Sequence, residues 1–289
     1  MSDQPSPSSV PASVSSPNGK TPLLEVTGLT KQFGGLRAVS NFDIVLYPHN
    51  LNGLIGPNGA GKTTVFNMIT GVYMPTAGQI LLKGLDISGM QPFEINKMGI
   101  ARTFQNIRLF PNLTVLDNVR IAYHTHAGYG LADGILHNQR FYQKEKELTE
   151  QAQEFLSVFN LQDRQREIAK NLPYGEQRRL EIARALAATP QLLLLDEPAA
   201  GMNPAETVSL MDLIHFIRDR FNLTILLIEH QMRVVMGICE KITVMDFGEV
   251  IAVGNPNEIQ ANPKVVEAYL GPGAAALSEK FRRRRNPES

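Results

Sequence analysis

The sequence predicts an α/β fold, in which a parallel core sheet carries helices on its faces, a small antiparallel sheet lies beside it and a helical segment is inserted. Three observations predict it. Short apolar runs at Leu51 to Ile55, Leu192 to Leu195 and Leu223 to Ile228 have the length and aliphatic content of strands buried on both faces. Each run ends in chemically distinctive residues, a glycine-rich loop, Asp196-Glu197 and Glu229-His230, and ligands of open α/β sheets gather at the carboxyl ends of the strands. Between the first two runs, Phe141, Leu148, Ala152, Phe155, Leu156 and Phe159 recur at helical spacing, with Lys and Glu on the opposite face.

Taken in order, Leu23 to Val26 and Ile44 to Tyr47 read as strands before the glycine-rich loop, and Gln79 to Leu82 follows it; these form the small antiparallel sheet. From about residue 106 to 172 the alternation of strand and helix stops and a helical subdomain is expected, with Leu113 to Ile121 first and a break at Ala127-Gly128-Tyr129-Gly130. The apolar stripe that follows is read as core packing of this subdomain. A helix is expected over Arg178 to Leu186. Beyond His230, Ile242 to Met245 and Glu249 to Val253 are strands around a turn at Gly248. Asn262 is placed to cap a helix whose first residue is Pro263 and which stops at Gly271. Residues 1–21 are rich in Ser and Pro and too poor in large apolar groups to offset the entropy of ordering, so a disordered extension is expected. Residues 272–289 read as a flexible tail, whose Arg282 to Arg285 run is either solvated or a contact for lipid headgroups.

At 289 residues, with 43% hydrophobic and 19% charged residues, the chain buries a sizeable core. Lys plus Arg and Asp plus Glu both number 28. That balance offers no global field for nucleic acid or for an acidic membrane surface. No apolar run approaches the roughly 20 residues of a membrane-spanning helix, and the start has no charged-then-apolar leader pattern. The single cysteine, Cys239, excludes an internal disulfide and fits a reducing compartment, the cytosol.

The loop Gly56-Pro57-Asn58-Gly59-Ala60-Gly61-Lys62-Thr63-Thr64 stands between a strand and a helix. Glycines at Gly56, Gly59 and Gly61 let the backbone curl so that N–H groups, including those near Asn58 and Thr64, point at phosphate oxygens at the positive end of the next helix. Lys62 then reaches the β- and γ-phosphates of a nucleotide, and Thr63 offers a hydroxyl to Mg²⁺. Asp196 is the expected Mg²⁺ partner, directly or through water. Glu197 is placed to polarise the water that attacks the γ-phosphate, and His230 to bond both.

Between these motifs lie Arg102-Thr103-Phe104-Gln105 and Leu172-Pro173-Tyr174-Gly175-Glu176-Gln177-Arg178-Arg179-Leu180-Glu181-Ile182-Ala183-Arg184. With them, the chain resembles the ATPase subunit of ABC transporters over residues 22–271. The resemblance implies a RecA-like P-loop NTPase core with an antiparallel β-subdomain and an inserted α-helical subdomain. It also implies that Gln105 is the glutamine of the Q-loop, contributing to Mg²⁺ and water, that Pro173, Tyr174, Gly175, Glu176 and Gln177 form the signature, and that Phe33 covers the adenine of ATP. Ala101 to Phe110, Tyr174 to Arg179, Ala199 to Pro204 and the ending Ala268-Tyr269-Leu270-Gly271 are similar to the LivG-type subunits of branched-chain amino acid importers. The resemblance further implies two transmembrane permease subunits, a periplasmic or extracellular solute-binding protein acting indirectly, no nucleic acid, and a peripheral position on the cytoplasmic face of the inner membrane. A groove beside Gln105, around Asn106 to Phe110, would receive a cytoplasmic helix of the permease. ATPases of urea import or lipopolysaccharide export, and soluble ABC proteins without a membrane partner, remain the alternatives.

Two departures from the general pattern carry expectations of their own. Pro173 stands where the usual signature has serine, and Tyr174 where it has its first glycine. Proline supplies neither hydroxyl nor N–H. Because the family's signature completes the partner's nucleotide site, a heterodimer with a related ATPase bearing an intact signature is expected. Asn203 stands where many relatives carry an aspartate, keeping hydrogen bonding and losing charge.

Overall fold

The computed structural model describes residues 21–123 and 139–271, with no side-chain description for 139–141. The expected extension ahead of Thr21, the break at Ala127 to Gly130, the tail after Gly271 and the side chain of Phe141 lie outside the described residues.

Two sheets organise the chain. The smaller is antiparallel, in the order β2-β1-β4-β5, from β1 (Leu24–Phe33), β2 (Leu36–Leu46), β4 (Ala77–Leu82) and β5 (Leu85–Asp86). The expected short strands extend farther here, because the polar stretch beyond Val26 is held by backbone pairing such as Lys31 with Val39 and Phe33 with Leu36. Apolar content marks only the buried end of such a ribbon.

The larger sheet has the order β10-β9-β3-β8-β7-β6, built from β3 (Leu51–Ile55), β6 (Ile100–Arg102), β7 (Leu192–Asp196), β8 (Thr224–Ile228), β9 (Lys241–Asp246) and β10 (Glu249–Gly254). Its strands pair parallel except β9 with β10. Register decides where the chemistry lies: Leu54 pairs with Ile228, Asp196 with Ile228, and Arg102 with Leu194. The carboxyl ends of β3, β6, β7 and β8 therefore share one edge. Strand β6 is not read from the sequence, since three residues carry no periodic signal; its neighbour β7 defines it.

Every residue of β3, β7 and β8 is buried. Alternation sends their side chains to opposite faces. Leu193, Leu195, Ile225 and Leu227 join one cluster with the helices α3 (Val115–Tyr123), α4 (Gln139–Val158), α5 (Tyr174–Ala187) and α6 (Pro204–Phe221). Leu192, Leu194, Leu226 and Ile228 join another, with α1 (Lys62–Ile69) and the antiparallel sheet. The stripe residues Ala152, Leu156 and Phe159 are buried in the first cluster, Leu148 is buried as well, and Phe155 packs on Tyr123, Phe159 and Phe221 at 5.3–6.0 Å between ring centroids. Helices α2 (Pro92–Lys97), α7 (Met232–Ile238) and α8 (Pro256–Ala261) complete the layers, and α9 (Pro263–Leu270) is capped by Asn262 Oδ1, which accepts from Lys264 N at 3.0 Å. Cys239 is buried, and burial pushes its thiol pKa up to about 12, the behaviour of an inert core sulfur.

One glycine is indispensable to the turn out of β3. Gly56 has φ 150°, and a Cβ there would sit on the Met245 carbonyl oxygen in the neighbouring strand. Gly56→Ala is expected to lower unfolding free energy by about 2 kcal/mol or more, as measured by urea unfolding followed by circular dichroism.

Candidate nucleotide site

The chain leaves β3 at Gly56, curls through left-handed Gly59 (φ 82°) and Gly61 (φ 98°), and enters α1 at Lys62. No side chain caps α1 and no acid stands in its first turn. Its leading N–H groups and the positive end of its dipole are thus directed at the loop. Lys62 is buried, and its Nζ donates to the carbonyls of Gly56 at 2.7 Å and Pro57 at 2.8 Å. Burial lowers its pKa, while the charges of Glu197 and Asp196 oppose that shift. Asn58 and Thr63 stand exposed at the mouth of the loop, with Thr64 half-buried behind them.

Asp196 closes β7 with its side chain buried, and its Oδ2 accepts from Arg102 at 2.7 Å. Arg102 ends β6, is itself buried, and also donates to Asn67 Oδ1 of α1 at 2.7 Å. Its guanidinium lies 5.4 Å from the Phe66 ring and 5.0 Å from that of Phe104. One side chain thereby joins β6, β7 and α1. Sequence reading quotes Arg102 within a motif and assigns it no task, because nothing local marks an arginine as buried.

Glu197 follows with φ 47°, a left-handed conformation unusual for a glutamate. Its Oε2 accepts from Gln105 Nε2 at 2.7 Å, and its Oε1 lies 2.6 Å from His230 Nε2. Gln105, Glu197 and His230, 92 and 33 positions apart by pair, meet at one carboxylate. The oxygens suit a hard cation: Asp196 keeps Oδ1 when Oδ2 binds Arg102, Gln105 keeps its amide oxygen when Nε2 binds Glu197, and Thr63 has its hydroxyl. A few oxygen donors beside a phosphate-binding loop fit Mg²⁺, which takes few protein ligands and completes its shell with phosphate and water.

The backbone around Gln105 is held by buried side chains. Arg178, fully buried in α5, donates to the carbonyls of Phe104 at 2.7 Å and Gln105 at 2.8 Å and to Glu181 Oε2 at 2.8 Å. Glu181 Oε1 accepts from the N–H groups of Phe104 at 3.3 Å and Arg108 at 3.1 Å. Asn118 of α3 serves Phe110 in the same way, donating to its carbonyl and accepting from its N–H. Phe110 is 43% exposed beneath Arg184.

The signature departs from expectation in its local structure. Helix α5 begins at Tyr174, four residues before the expected start at Arg178, because Pro173 is extended (φ −53°, ψ 150°) and serves as N-cap, its carbonyl accepting from the N–H groups of Glu176 and Gln177 at 2.9 Å. Gly175, Glu176 and Gln177 thus lie in the first turn. Pro173, Gly175, Glu176, Asn203 and Glu206 line a cleft of about 320 Å³. Gln177 Nε2 donates to the Leu172 carbonyl at 2.8 Å. Asn203 caps α6, with Oδ1 accepting from Ala205 N and Glu206 N at 3.0 Å while Glu206 accepts from Asn203 N at 2.9 Å. An amide fulfils that task without a charge. Phe33 ends β1, 41% exposed, edge-on to Tyr73 at 5.2 Å with Lys31 Nζ 5.0 Å from its ring centroid.

A family profile described as ABC transporter matches residues 39–200. The chain belongs to the ABC transporter family. A second profile, described as branched-chain amino acid ATP-binding cassette transporter, matches residues 249–272 of this ABC protein. The high-affinity branched-chain amino acid transport ATP-binding protein LivG of Escherichia coli (strain K12) is 48% identical over 250 residues, spanning 86% of this chain and 98% of its own length. BraF of Pseudomonas aeruginosa, described in the same words, is 46% identical over the same shares. Among solved structures, the ADP conformation of MJ1267, an ATP-binding cassette of an ABC transporter, superposes with a TM-score of 0.76 at 30% identity, over 86% of this chain and 99% of that one. As an ABC cassette the chain binds and hydrolyses ATP in the service of membrane permease subunits. No helix among the described residues is long and apolar enough to cross a membrane itself.

Arg178→Met alone leaves the Glu181 carboxylate buried without its cation and is expected to cost about 3–5 kcal/mol, whereas Arg178→Met with Glu181→Leu recovers only part of that loss, because the backbone groups of Phe104, Gln105 and Arg108 still lose their partners. Urea unfolding of the two single variants and the double variant measures this. Amide hydrogen exchange of residues 104–108 is expected to quicken in all three.

Proposed function

We propose that this chain is the ATP-hydrolysing subunit of an importer of branched-chain amino acids, with Glu197 as the base of the reaction. The observation that carries the reaction is the meeting of Gln105 and His230 on the Glu197 carboxylate beside the phosphate loop. The cargo is supported by the names of the relatives and by the match over residues 249–272, which contains Ala268 to Gly271.

In this reading the N–H groups from Gly56 to Thr64, with Asn58, Gly59 and Gly61 shaping the loop, cradle the phosphates, and Lys62 exchanges its loop carbonyls for phosphate oxygens. Phe33 covers the adenine with its exposed ring. The Glu197 carboxylate takes a proton from the attacking water as the oxygen reaches the γ-phosphorus, and Gln105 and His230 hold that carboxylate in line. His230 also donates toward the γ-phosphate, stabilising charge that grows there. Thr63, Asp196 and Gln105 would hold Mg²⁺, which neutralises phosphate charge when bound.

The signature residues Pro173, Tyr174, Gly175, Glu176 and Gln177 face a second ATPase subunit. The first turn of α5 supplies the N–H groups of Tyr174 and Gly175, while Pro173 supplies neither a hydroxyl nor an N–H, so a related ATPase with a fuller signature is the partner and the two sites are unequal. A solute-binding protein delivers the amino acid to the permeases from outside, and the ATPase works at the cytoplasmic face of the inner membrane. The helical subdomain of residues 106–172, within the ABC domain of residues 22–271, meets the permease.

Glu197→Gln is expected to bind ATP with near-normal affinity and to hydrolyse it at about 1% of the normal rate or less. Cells carrying only that variant, with the transporter assembled, are expected to lose uptake of radiolabelled leucine, isoleucine and valine. Normal uptake of all three with hydrolysis abolished would refute the cargo; undiminished hydrolysis would refute the base. Size-exclusion chromatography with ATP and Glu197→Gln is expected to show the isolated chain as a monomer and to yield a dimer only with the second ATPase; a stable homodimer would overturn the unequal pair.

A further inference from the structure

Glu229 follows β8, is 2% exposed and sits among backbone amides. Its Oε1 accepts from Ala199 N at 2.7 Å, and its Oε2 from His230 N at 2.9 Å and Gln231 N at 3.1 Å. Gln231 Nε2 in turn donates to the Ala199 carbonyl at 3.0 Å. Both polar groups of the Ala199 backbone are therefore held by side chains from the loop that carries His230. Ala199 lies two residues beyond Glu197, whose own N–H donates to the Ile228 carbonyl at 2.9 Å. The same loop continues to Gly201, against the Tyr174 ring that opens α5.

No Lys or Arg forms an ion pair with Glu229 among the described residues. Burial raises its pKa, and the three backbone N–H groups oppose that shift. Keeping a carboxylate in such a place is costly, and a neutral side chain would suffice if one bond were needed. Three donors converging from two loops demand two acceptor oxygens on one rigid group. Among uncharged side chains of this length, glutamine offers a single acceptor oxygen.

We propose that Glu229 is a positioning residue for ATP hydrolysis: its carboxylate locks the loop after β7 to the loop after β8, so that His230 Nε2 stands 2.6 Å from Glu197 Oε1. The inference rests on the reading of Glu197 as base. It goes beyond that reading by assigning the alignment of base and histidine to a residue that touches neither nucleotide nor water. Loss of the lock leaves the phosphate loop intact, because that loop hangs from β3 and its bonds do not involve Glu229. Binding and turnover consequently separate.

The test uses the purified full chain, dimerised with its partner ATPase if it requires one. Glu229→Gln is expected to lower kcat at least tenfold with the KM for ATP and the affinity for a fluorescent ATP analogue within threefold of normal, and Glu229→Asp to recover part of the rate. The imidazole N–H proton resonance of His230, assigned by its absence in His230→Ala, is expected downfield in the normal protein and lost or shifted upfield in Glu229→Gln. If Glu229→Gln does not fold, Gln231→Ala, which removes only the bond to the Ala199 carbonyl, is expected to lower kcat two- to fivefold at unchanged KM. A kcat within twofold of normal, an unmoved imidazole resonance, or a fall in kcat matched by lost nucleotide binding overturns the proposal. Glu197→Gln separates the two levels: if it is inactive while Glu229→Gln is fully active, the lock alone fails, and if it retains full turnover, the reading of the base and the lock fail together.

Discussion

The ion pair between Arg102 and Asp196, buried where β6, β7 and α1 meet, is the contact on which the geometry of the site depends. Asp196 ends a strand buried along its whole length, and a carboxylate there without a partner would bear the full cost of desolvation. Arg102 removes that cost and, through Asn67, ties the acid to the helix that follows the phosphate loop. It also places Gln105 within reach, since only Thr103 and Phe104 separate the end of β6 from that glutamine. The helix after the glycine loop, the buried acid of β7 and the segment that leads to Gln105 are thus set relative to one another by one guanidinium.

Arg102 is one of several buried polar side chains with the same task. Arg178 and Glu181 shape the backbone at residues 104–108, Asn118 holds Phe110, and Glu229 joins the loops after β7 and β8. None of these segments belongs to a strand or helix, so their N–H and carbonyl groups lack the partners that regular structure supplies. Charged and amide side chains provide them instead. The result is loops with defined positions tied to the helices carrying their clamps: Arg178 of α5 holds the backbone at Phe104 and Gln105. An ATPase that must pass motion to a membrane partner needs such a linkage, and an apolar loop core would not direct it.

Strain is concentrated in the same place. Glu197 takes a left-handed backbone conformation, at a cost of order 1–3 kcal/mol. It stays there because its N–H is bound to β8 and both carboxylate oxygens are engaged. The apolar layers on both faces of the sheet supply the stability that tolerates it, with the leucines of β7 divided alternately between the two cores.

Much of the fold was legible in the sequence. Five-residue apolar strands, a glycine loop between strand and helix, and Asn262-Pro263 at a helix start are local patterns with local causes, and the parallel core, the antiparallel sheet and the last helix follow from them. The extended ends of β1 and β2, the three-residue β6 and the early start of α5 were not legible, because backbone pairing and a proline N-cap defined them in place of apolar periodicity. The chain alone marked the candidate side chains: Lys62, Thr63, Gln105, Asp196, Glu197 and His230 all stand in readable motifs. Tertiary structure decided which of them touch, and it assigned Arg102, Arg178, Glu181 and Glu229 to hold them. Burial and long-range hydrogen bonding turn a charged residue from a surface group into a structural one, and both are properties of the packed sheet that no window of sequence contains.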